Sequence, residues 1–336
     1  MREPAFWHAP SSWLARLLMP LAAIYGEIAA SRMARKGIDV GIPVFCVGNY
    51  HVGGAGKTPT ALALVALLRD LGETPVVLSR GYGGSLRGPV KVDPGRHSAA
   101  EVGDEPLMMA GHVPVVIARD RVGGAALARS TGASVMVMDD GFQNPALNKN
   151  ASFIVIDGDR GLGNGRVLPA GPLRAPLVAQ LPRTDALVVI GHGRAADDLA
   201  TTIAAQGGAV WRAQFMPDAA TVAALRGMRV LAFAGIGDPH RFFRTLKAGD
   251  IDVVAEQTFA DHHAYTPGDI TALTAQAARD GLTLVTTEKD LVKLRALPAA
   301  ENIMPFPVTL AFAEAAALQT YVRGQLNTAR AGRFRS

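Results

Sequence analysis

The sequence predicts an α/β protein with two domains of unequal size, preceded by an amphipathic helix. Three observations carry this prediction. Short apolar segments alternate with helical patterns, as in parallel sheets covered on both faces. One of these segments runs into a glycine-rich loop that opens a helix. The chain has 336 residues, 49% hydrophobic and 19% charged, which is enough for two cores and shows no sign of global disorder.

The first element is a helix from about 13 to 28, where apolar residues recur at helical spacing. The uncharged run between Arg16 and Glu27 is far shorter than the roughly 20 residues that span a bilayer. Two interpretations stay open for residues 1–36: a membrane-associated amphipathic helix with a kink at Pro20, or a helix packed on its own domain. Interfacial aromatic residues and basic residues for anionic headgroups are available at Trp7, Trp13, Tyr25, Arg2, Arg16, Arg32, Arg35 and Lys36.

The next element is a strand at 42–47 that leads into the loop Gly53-Gly54-Ala55-Gly56-Lys57-Thr58 and then a helix. Backbone N–H groups of such a loop point at phosphate oxygens, and the helix N-terminus adds a partial positive charge. Lys57 would reach the outer phosphates, and the Thr58 hydroxyl would ligate Mg²⁺. His51 stands where the standard pattern has glycine, so the loop is a P-loop variant. The alternative is a glycine-rich turn that opens an ordinary helix.

Acidic residues follow in the same unit, which we place at 37–205 as a P-loop nucleotide-binding domain. Asp139 and Asp140 end an apolar strand, where a carboxylate of a P-loop protein holds the Mg²⁺ that bridges the nucleotide phosphates. The alternative is a simple acidic turn. Asp104, which precedes Glu105, is either a helix N-cap, as the residues alone favour, or a general base that accepts a proton from an attacking hydroxyl.

The apolar pattern weakens at 206–220, which we predict to be a linker, and restarts as a smaller α/β domain at 221–326. His262 and His263 lie in a polar loop of this domain. They either orient a catalytic carboxylate across a domain cleft or face water, and the lack of Cys ligands argues against a structural zinc. A basic tail at 327–336 contains Arg330, Arg333 and Arg335.

The overall charge narrows the class of partner. A net charge of +5 favours an anionic partner: nucleic acid, an acidic membrane surface or a phosphorylated substrate. Scattered basic residues and only 6% aromatic residues argue against nucleic acid. The single cysteine, Cys46, excludes an internal disulfide and indicates a reducing compartment.

A set of short motifs runs in order from about 12 to 325, and together they resemble the tetraacyldisaccharide 4′-kinase family, the lipid A 4′-kinases of Gram-negative bacteria. The motifs are Gly48-Asn49 with the glycine-rich loop and Pro59, Leu78-Ser79-Arg80-Gly81-Tyr82-Gly83-Gly84, Gly103-Asp104-Glu105-Pro106, Asp139-Asp140-Gly141-Phe142-Gln143, Gly163-Asn164-Gly165, Leu168-Pro169-Ala170-Gly171-Pro172-Leu173-Arg174, Asp261-His262-His263 and Thr286-Thr287-Glu288-Lys289-Asp290.

This resemblance implies phosphorylation of the 4′-hydroxyl of a tetraacylated glucosamine disaccharide 1-phosphate, giving the 1,4′-bisphosphate (lipid IVA) in lipid A and lipopolysaccharide biosynthesis. It implies ATP and Mg²⁺ as cofactors and a peripheral place at the cytoplasmic face of the inner membrane, where the N-terminal helix meets an anionic surface. No nucleic acid and no obligate protein partner are implied. The alternative is a nucleotide switch or metallochaperone-type P-loop protein without a lipid substrate.

The resemblance also assigns residue roles. Asp104 becomes the general base, assisted by His262, since the first His after Asp261 fits the family pattern better than His263. Roles in binding phosphate and Mg²⁺ carry over to the glycine-rich loop, Lys57, Thr58 and either Asp139 or Asp140, and Arg121 and Arg174 become candidates for contacting a phosphate. The chain departs from the family pattern at Asn144, where His is usual, and at Ala175, where Glu is usual.

Overall fold

The computed structural model describes residues 3–9, 11–54, 56–295, 297 and 300–333, which form two sheets flanked by helices. The strands are β1 (Val44–Gly48), β2 (Pro75–Ser79), β3 (Val90–Lys91), β4 (Val115–Ile117), β5 (Val135–Asp139), β6 (Ala151–Asp157), β7 (Ala186–Ile190), β8 (Ala209–Pro217), β9 (Arg229–Ala234), β10 (Asp252–Thr258), β11 (Thr283–Thr286), β12 (Ile303–Pro305) and β13 (Val308–Phe312). The helices are α1 (Trp13–Leu17), α2 (Met19–Met33), α3 (Lys57–Asp70), α4 (Ala99–Val102), α5 (Asp104–Ala110), α6 (Arg121–Ser130), α7 (Leu177–Gln180), α8 (Asp197–Ala205), α9 (Ala219–Leu225), α10 (Pro239–Ala248), α11 (Pro267–Asp280), α12 (Glu288–Leu294) and α13 (Ala315–Arg333).

The larger sheet has nine strands within the described residues, in the order β13-β8-β7-β6-β1-β5-β2-β4-β3. Its seven inner strands are parallel, whereas β3 and β13 run antiparallel at the two edges. Every residue of β1, β5, β6 and β7 is buried, which explains their continuous apolar sequences. Because the inner strands are parallel, the loops after β1, β5 and β6 meet at one edge of the sheet.

Two layers of side chains fix the helices on this sheet. Phe45 and Val47 of β1 pack in the same core as the apolar face of α3, and Val44 and Cys46 pack on the opposite face with α6. The first turn of α3 is thereby held close to the end of β1. This packing fixes the position of the glycine-rich loop that joins them.

The smaller sheet confirms the predicted second α/β unit. Its four strands within the described residues are parallel and follow the order β10-β9-β11-β12. Phe242, Phe243 and Leu246 of α10 cover one face, while Ile270 and Leu273 of α11 cover the other. The smaller domain therefore has its own hydrophobic core on each side of the sheet.

The boundary between the domains differs from the expected one. The segment 206–220, which was expected to be a linker, contains β8, a strand of the larger sheet with Trp211 and Ala213 in its core. Buried and exposed residues alternate along β8, so its sequence lacks the continuous apolar run of the inner strands. The smaller domain therefore begins after Pro217, at the end of β8.

The end of the chain also returns to the larger domain. Strand β13 pairs antiparallel with β8, with Val308 opposite Pro217, and α13 packs on the larger core through Leu318 and Val322. The smaller domain is thus inserted between two neighbouring strands. The expected tail 327–336 is helical as far as 333, and Arg330 in it forms an ion pair with Glu73 at 2.7 Å. Residues 334–336 and the side chain of Arg333 lie outside the described residues.

The N-terminal helix is divided at Leu18 into α1 and α2, and Pro20 occupies the first turn of α2. The helices bury three small residues, Ala15, Ala22 and Gly26, and one large one, Met33 at the end of α2. Most of their large apolar side chains are exposed, among them Trp13 (76%), Leu17 (66%), Leu21 (58%), Ile24 (62%) and Ile28 (56%). Within the described part of the chain, no helix combines the length and apolarity needed to cross a bilayer.

Candidate nucleotide and catalytic site

The glycine-rich loop lies between the end of β1 and the start of α3. Gly53 and Gly56 adopt φ values of +104° and +89°, which residues with a Cβ rarely adopt. A Cβ on Gly56 would also lie 2.6 Å from Cδ1 of Ile190, so this position requires glycine for both reasons. Gly54 is exposed, with open space where its Cβ would be. Ala55 lies outside the described residues.

Side chains before and after the loop hold its backbone. The Nδ2 of Asn49 donates to the carbonyl of Gly53 at 3.1 Å, and the Nζ of Lys57 donates to the same carbonyl at 3.4 Å. His51, at the position of the usual glycine, is buried and forms a β-bridge with Leu173. Side-chain hydrogen bonding and this bridge therefore stabilise the variant loop. Asn49 was not among the predicted site residues.

The acidic pair lies beside the loop, since Asp139 of β5 is opposite Val47 of β1. Asp139 is 2% exposed, and its Oδ1 has no hydrogen-bond partner within the described residues. Burial, together with the charges of Glu105 and Asp140, raises the pKa of Asp139 well above its ordinary value. A buried carboxyl oxygen without a partner is costly, and a cation would relieve that cost. Asp139 thus has the chemistry of a metal ligand.

Asp140 has protein partners instead. Its carboxylate accepts from Arg174 at 2.7 and 3.2 Å, and Lys57 lies 3.8 Å away. Burial raises the pKa of Asp140, but the charges of Lys57 and Arg174 outweigh it and hold the pKa below its ordinary value. Its φ of +48° is supported by an N–H donated to the carbonyl of Val47 at 2.9 Å. Among the described residues, no three or more His, Cys, Asp or Glu side chains form a ready-made metal cage.

The two predicted phosphate-binding arginines occupy different environments. Arg174 is half-buried and paired with Asp140. Arg121 begins α6, is 3% exposed, and lies within electrostatic range of Asp139 and Asp140. Burial lowers the pKa of Arg121 relative to its ordinary value. Both guanidinium groups therefore lie near the acidic pair.

Asp104 and His262 are brought together although 158 residues separate them. Asp104 is the first residue of α5 in the larger domain, with Gly103 at the N-cap, so the N-cap interpretation of Asp104 does not describe its position. The Nδ1 of His262, in the smaller domain, lies 2.9 and 3.1 Å from the two carboxylate oxygens of Asp104. This contact joins the two domains at the edge where the glycine-rich loop lies.

The geometry distinguishes the two histidines. His262 has a φ of +59°, and its N–H donates to the carbonyl of Gly235 at 3.2 Å. The ring of His262 also meets the exposed ring of Tyr82 edge-on, with centroids 5.4 Å apart. His263 faces away into its own domain, where it stacks on Phe259 and bonds to Asp269 at 3.1 Å.

Electrostatics couple the Asp104–His262 pair. Burial raises the pKa of Asp104, but the hydrogen bond from His262 and the nearby charge of Lys289 outweigh it and lower the pKa. The hydrogen bond with Asp104 raises the pKa of His262, with burial and Lys289 opposing. Asp104 is therefore ionised at neutral pH and able to accept a proton.

A cavity of about 1030 Å³ separates the two domains next to this site. It is lined by Lys57 and Thr58 of the larger domain and by Arg241 and Lys289 of the smaller one. The volume is at the upper end for small-molecule sites, which fits a nucleotide.

The two departures from the family pattern, Asn144 and Ala175, form local hydrogen bonds. The Asn144 side chain accepts the N–H of Ala146 at 2.9 Å and closes a local turn. Ala175 is completely buried, and its carbonyl accepts from the side chain of Gln180 at 2.8 Å. Both positions therefore support the local backbone.

Comparisons with known proteins agree along the length of the chain. A family model described as tetraacyldisaccharide-1-P 4′-kinase matches residues 14–327. A curated protein named tetraacyldisaccharide 4′-kinase, from Rhodopseudomonas palustris (strain HaA2), is 63% identical over 332 residues, which cover 98% of each chain. One of the same name from Nitrobacter winogradskyi is 64% identical over 326 residues, 96% of this chain and 97% of its own.

The comparison with solved structures shows a similarity in fold as well. A crystal structure described as the "apo" form of LpxK from Aquifex aeolicus in complex with ATP is similar with a TM-score of 0.72 and 28% sequence identity. The match covers 93% of this chain and 99% of that one.

Proposed function

This chain belongs to the tetraacyldisaccharide-1-P 4′-kinase family, and on that basis we propose that it transfers the γ-phosphoryl group of ATP to the 4′-hydroxyl of a tetraacylated glucosamine disaccharide 1-phosphate. The product would be the 1,4′-bisphosphate, an intermediate of lipid A. The observation that carries the proposal is the Asp104–His262 hydrogen bond, formed between the two domains beside the glycine-rich loop. A nucleotide switch or metallochaperone without a lipid substrate is not favoured by this family membership.

Nucleotide binding is assigned to the glycine-rich loop. The N–H groups at the open loop and at the first turn of α3 would bind phosphate oxygens, and Lys57 would add a positive charge. The similar Aquifex aeolicus structure is described as a complex with ATP, which supports this assignment. In this proposal Lys57 leaves the carbonyl of Gly53 and binds the outer phosphates.

Phosphoryl transfer would use Asp104 as the base. As the 4′-oxygen forms a bond to the γ-phosphorus and the bond to ADP breaks, the hydroxyl proton passes to the Asp104 carboxylate. His262 would stabilise the ionised carboxylate beforehand and hold its orientation. Arg121 and Arg174 would neutralise phosphate charge, on the transferred group or on the substrate's own phosphate.

A magnesium ion fits the residues present, because a buried oxygen of Asp139 has no hydrogen-bond partner among the described residues and the buried Thr58 lies in the first turn of the neighbouring helix. Held by Asp139 and Thr58, with Asp140 nearby, the ion would neutralise charge on the β and γ phosphates. Phosphate and water oxygens would complete its coordination.

Membrane binding is assigned to the N-terminal helices α1 and α2. These helices expose most of their large apolar side chains, and this arrangement suits an element whose apolar face enters a lipid surface. Arg16 and Arg32 lie on the same segment and suit anionic headgroups. We place the enzyme peripherally at the cytoplasmic face of the inner membrane, where its lipid substrate would approach.

The test is transfer of radiolabel from ATP to the disaccharide 1-phosphate in mixed micelles, scored for a new bisphosphorylated lipid. We expect the wild type to produce it. Asp104→Ala and His262→Ala should lower turnover by at least about 100-fold, the scale of general-base catalysis, with ATP binding largely retained.

His263→Ala is the matched control, because His263 bonds to Asp269 of α11 in its own domain and should leave turnover near the wild-type value. Absence of labelled lipid with the wild type would contradict the proposed function. Normal turnover in both Asp104→Ala and His262→Ala would contradict the catalytic role of the Asp104–His262 pair without contradicting the kinase activity.

A further inference from the structure

The proposed phosphoryl transfer does not use the motif Thr286-Thr287-Glu288-Lys289-Asp290. It joins the end of β11 to the start of α12 in the smaller domain. The Thr287 hydroxyl accepts the N–H of Asp290 at 3.0 Å and caps the helix. This cap fixes the first turn of α12 and thereby directs its side chains.

Lys289 extends from that turn into a cluster of carboxylates. Its Nζ lies 3.1 Å from Oε1 of Glu105, 3.4 Å from Oδ1 of Asp261 and 3.8 Å from Oδ2 of Asp104. Asp104 and Glu105 belong to α5 of the larger domain, whereas Asp261 precedes His262 in the smaller one. The Lys289 side chain is only 16% exposed, so its charge acts in a partly desolvated environment where pairing matters.

The next residue of the same turn holds the backbone that carries His262. The fully buried Asp290 accepts the N–H of Gly235 at 2.9 Å, and the Gly235 carbonyl accepts the N–H of His262 at 3.2 Å. His262 needs such support, because the left-handed region costs a non-glycine residue about 1–2 kcal/mol. The first turn of α12 therefore acts on both members of the Asp104–His262 pair. Lys289 lies beside Asp104, and Asp290 holds the backbone of His262 through Gly235.

We propose that Lys289 is a positioning residue, which holds the Asp104 carboxylate against His262 across the two domains by neutralising the carboxylates that converge there. The proposal rests on the proposed function for the reaction it serves. The groups that face His262 are Asp104 from α5, Asp261 from its own loop, Lys289 from α12 and the ring of Tyr82. Without Lys289, the converging carboxylates would keep their negative charges and lose the ammonium group that contacts all three of them. Lys293 of the same helix also acts on Asp104, but it is paired with Asp290 at 2.6 Å.

The kinetic test uses Lys289→Met in the full chain. We expect kcat to fall about 100-fold, because small displacements of a reacting group cost that much, while KM for ATP stays close to the wild-type value. Lys289→Arg keeps the charge and should restore a large part of kcat. The matched control is Lys247→Met, which removes a lysine paired with Glu256 on the outer surface of the same domain, and it should act like the wild type.

A second readout does not depend on transfer activity. The pKa of His262, followed by NMR with labelled histidine, should fall in Lys289→Met, because the hydrogen bond with Asp104 raises this pKa by more than the charge of Lys289 lowers it. Lys247→Met should leave it unchanged. Unchanged kcat together with an unchanged pKa of His262 would overturn the proposal.

The outcomes separate the two proposals. If the wild type transfers no phosphoryl group, the proposed function fails, and the NMR titration still decides whether Lys289 controls His262. If Lys289→Met does not fold, Lys289→Gln decides, since its amide can still donate to Glu105 while the positive charge is lost. Lys289→Gln should lower kcat in the same direction, and an unchanged kcat would contradict the positioning role.

Discussion

Each member of the Asp104–His262 pair stabilises the charged form of the other, so their pKa values move in opposite directions. The folded pKa of Asp104 lies below its ordinary 3.8, whereas that of His262 lies above its ordinary 6.5. The contribution of Asp104 to stability is present above 3.8 and is lost as the pH falls through the lowered folded pKa. That of His262 is present below 6.5 and is lost as the pH rises through the raised folded pKa.

We therefore predict that the pair stabilises the fold most between pH 3.8 and 6.5. His262→Ala should lower the free energy of unfolding by about 1–2 kcal/mol near pH 5, and by less at about pH 9. Denaturant unfolding at the two pH values measures this difference. Equal losses at both pH values would show that the pair is not ionic in the folded state.

Individual residues were predictable only in part. Asp139 and Asp140 follow a strand, and Lys57 follows a glycine-rich loop, so local sequence points to each of them. Lys289 and its partner Glu105 are 184 residues apart, and no local pattern connects them. His262, the partner of Asp104, is 158 residues away from it. The residues alone left His262 and His263 as equal candidates, and the resemblance to a family chose His262.

At the scale of elements, the N-terminal helices carry the most direct test of membrane association. Leu21 and Ile24 are 58% and 62% exposed, so replacing both with Glu should leave the fold intact. Transfer of a side chain of this size from water to an apolar environment is favourable by about 1.5–3 kcal/mol. Binding to vesicles rich in phosphatidylglycerol should therefore fall more than about 10-fold in Leu21→Glu/Ile24→Glu, measured by co-sedimentation.

Val254→Glu serves as the control for this prediction, because Val254 is 44% exposed on β10, far along the chain from the N-terminal helices. It should bind vesicles like the wild type. Equal vesicle binding by the double variant would assign membrane contact to another surface.

Strands with both faces buried were recognisable from sequence because their residues are uniformly apolar. Strand β8 was not, since exposed Arg212 and Gln214 alternate with buried Trp211 and Ala213. Strand β13 was not predicted either, and its partner β8 is distant along the chain. Strand pairing over such separations depends on the tertiary fold.

At the scale of the whole molecule, two further ion pairs join the domains, and their smaller-domain members, Arg241 and Asp238, line the cavity. Arg241 of α10 pairs with Asp157 at the end of β6, and Arg160 pairs with Asp238 at 3.2 Å. The Asp157 side chain is 2% exposed, whereas the Arg160 side chain is 40% exposed. Removing one partner of the first pair should therefore cost more stability than removing one partner of the second.

We predict that Arg241→Met lowers the free energy of unfolding by about 3 kcal/mol, because it leaves the Asp157 carboxylate buried without its partner. Arg160→Met, the control, should cost less than about 1 kcal/mol. Adding Asp157→Asn to Arg241→Met should recover part of the loss in a double-mutant cycle followed by denaturant unfolding. Additive losses would show that the two side chains do not interact.

The insertion of the smaller domain between β8 and β13 has a consequence for synthesis. The ribosome synthesises β8 long before β13. Strand β8 therefore remains an unpaired edge of the larger sheet while the smaller domain is synthesised. An unpaired edge strand is a template for pairing with other chains. Products truncated before Val308 would keep that edge open permanently, so aggregation is the expected outcome of incomplete translation.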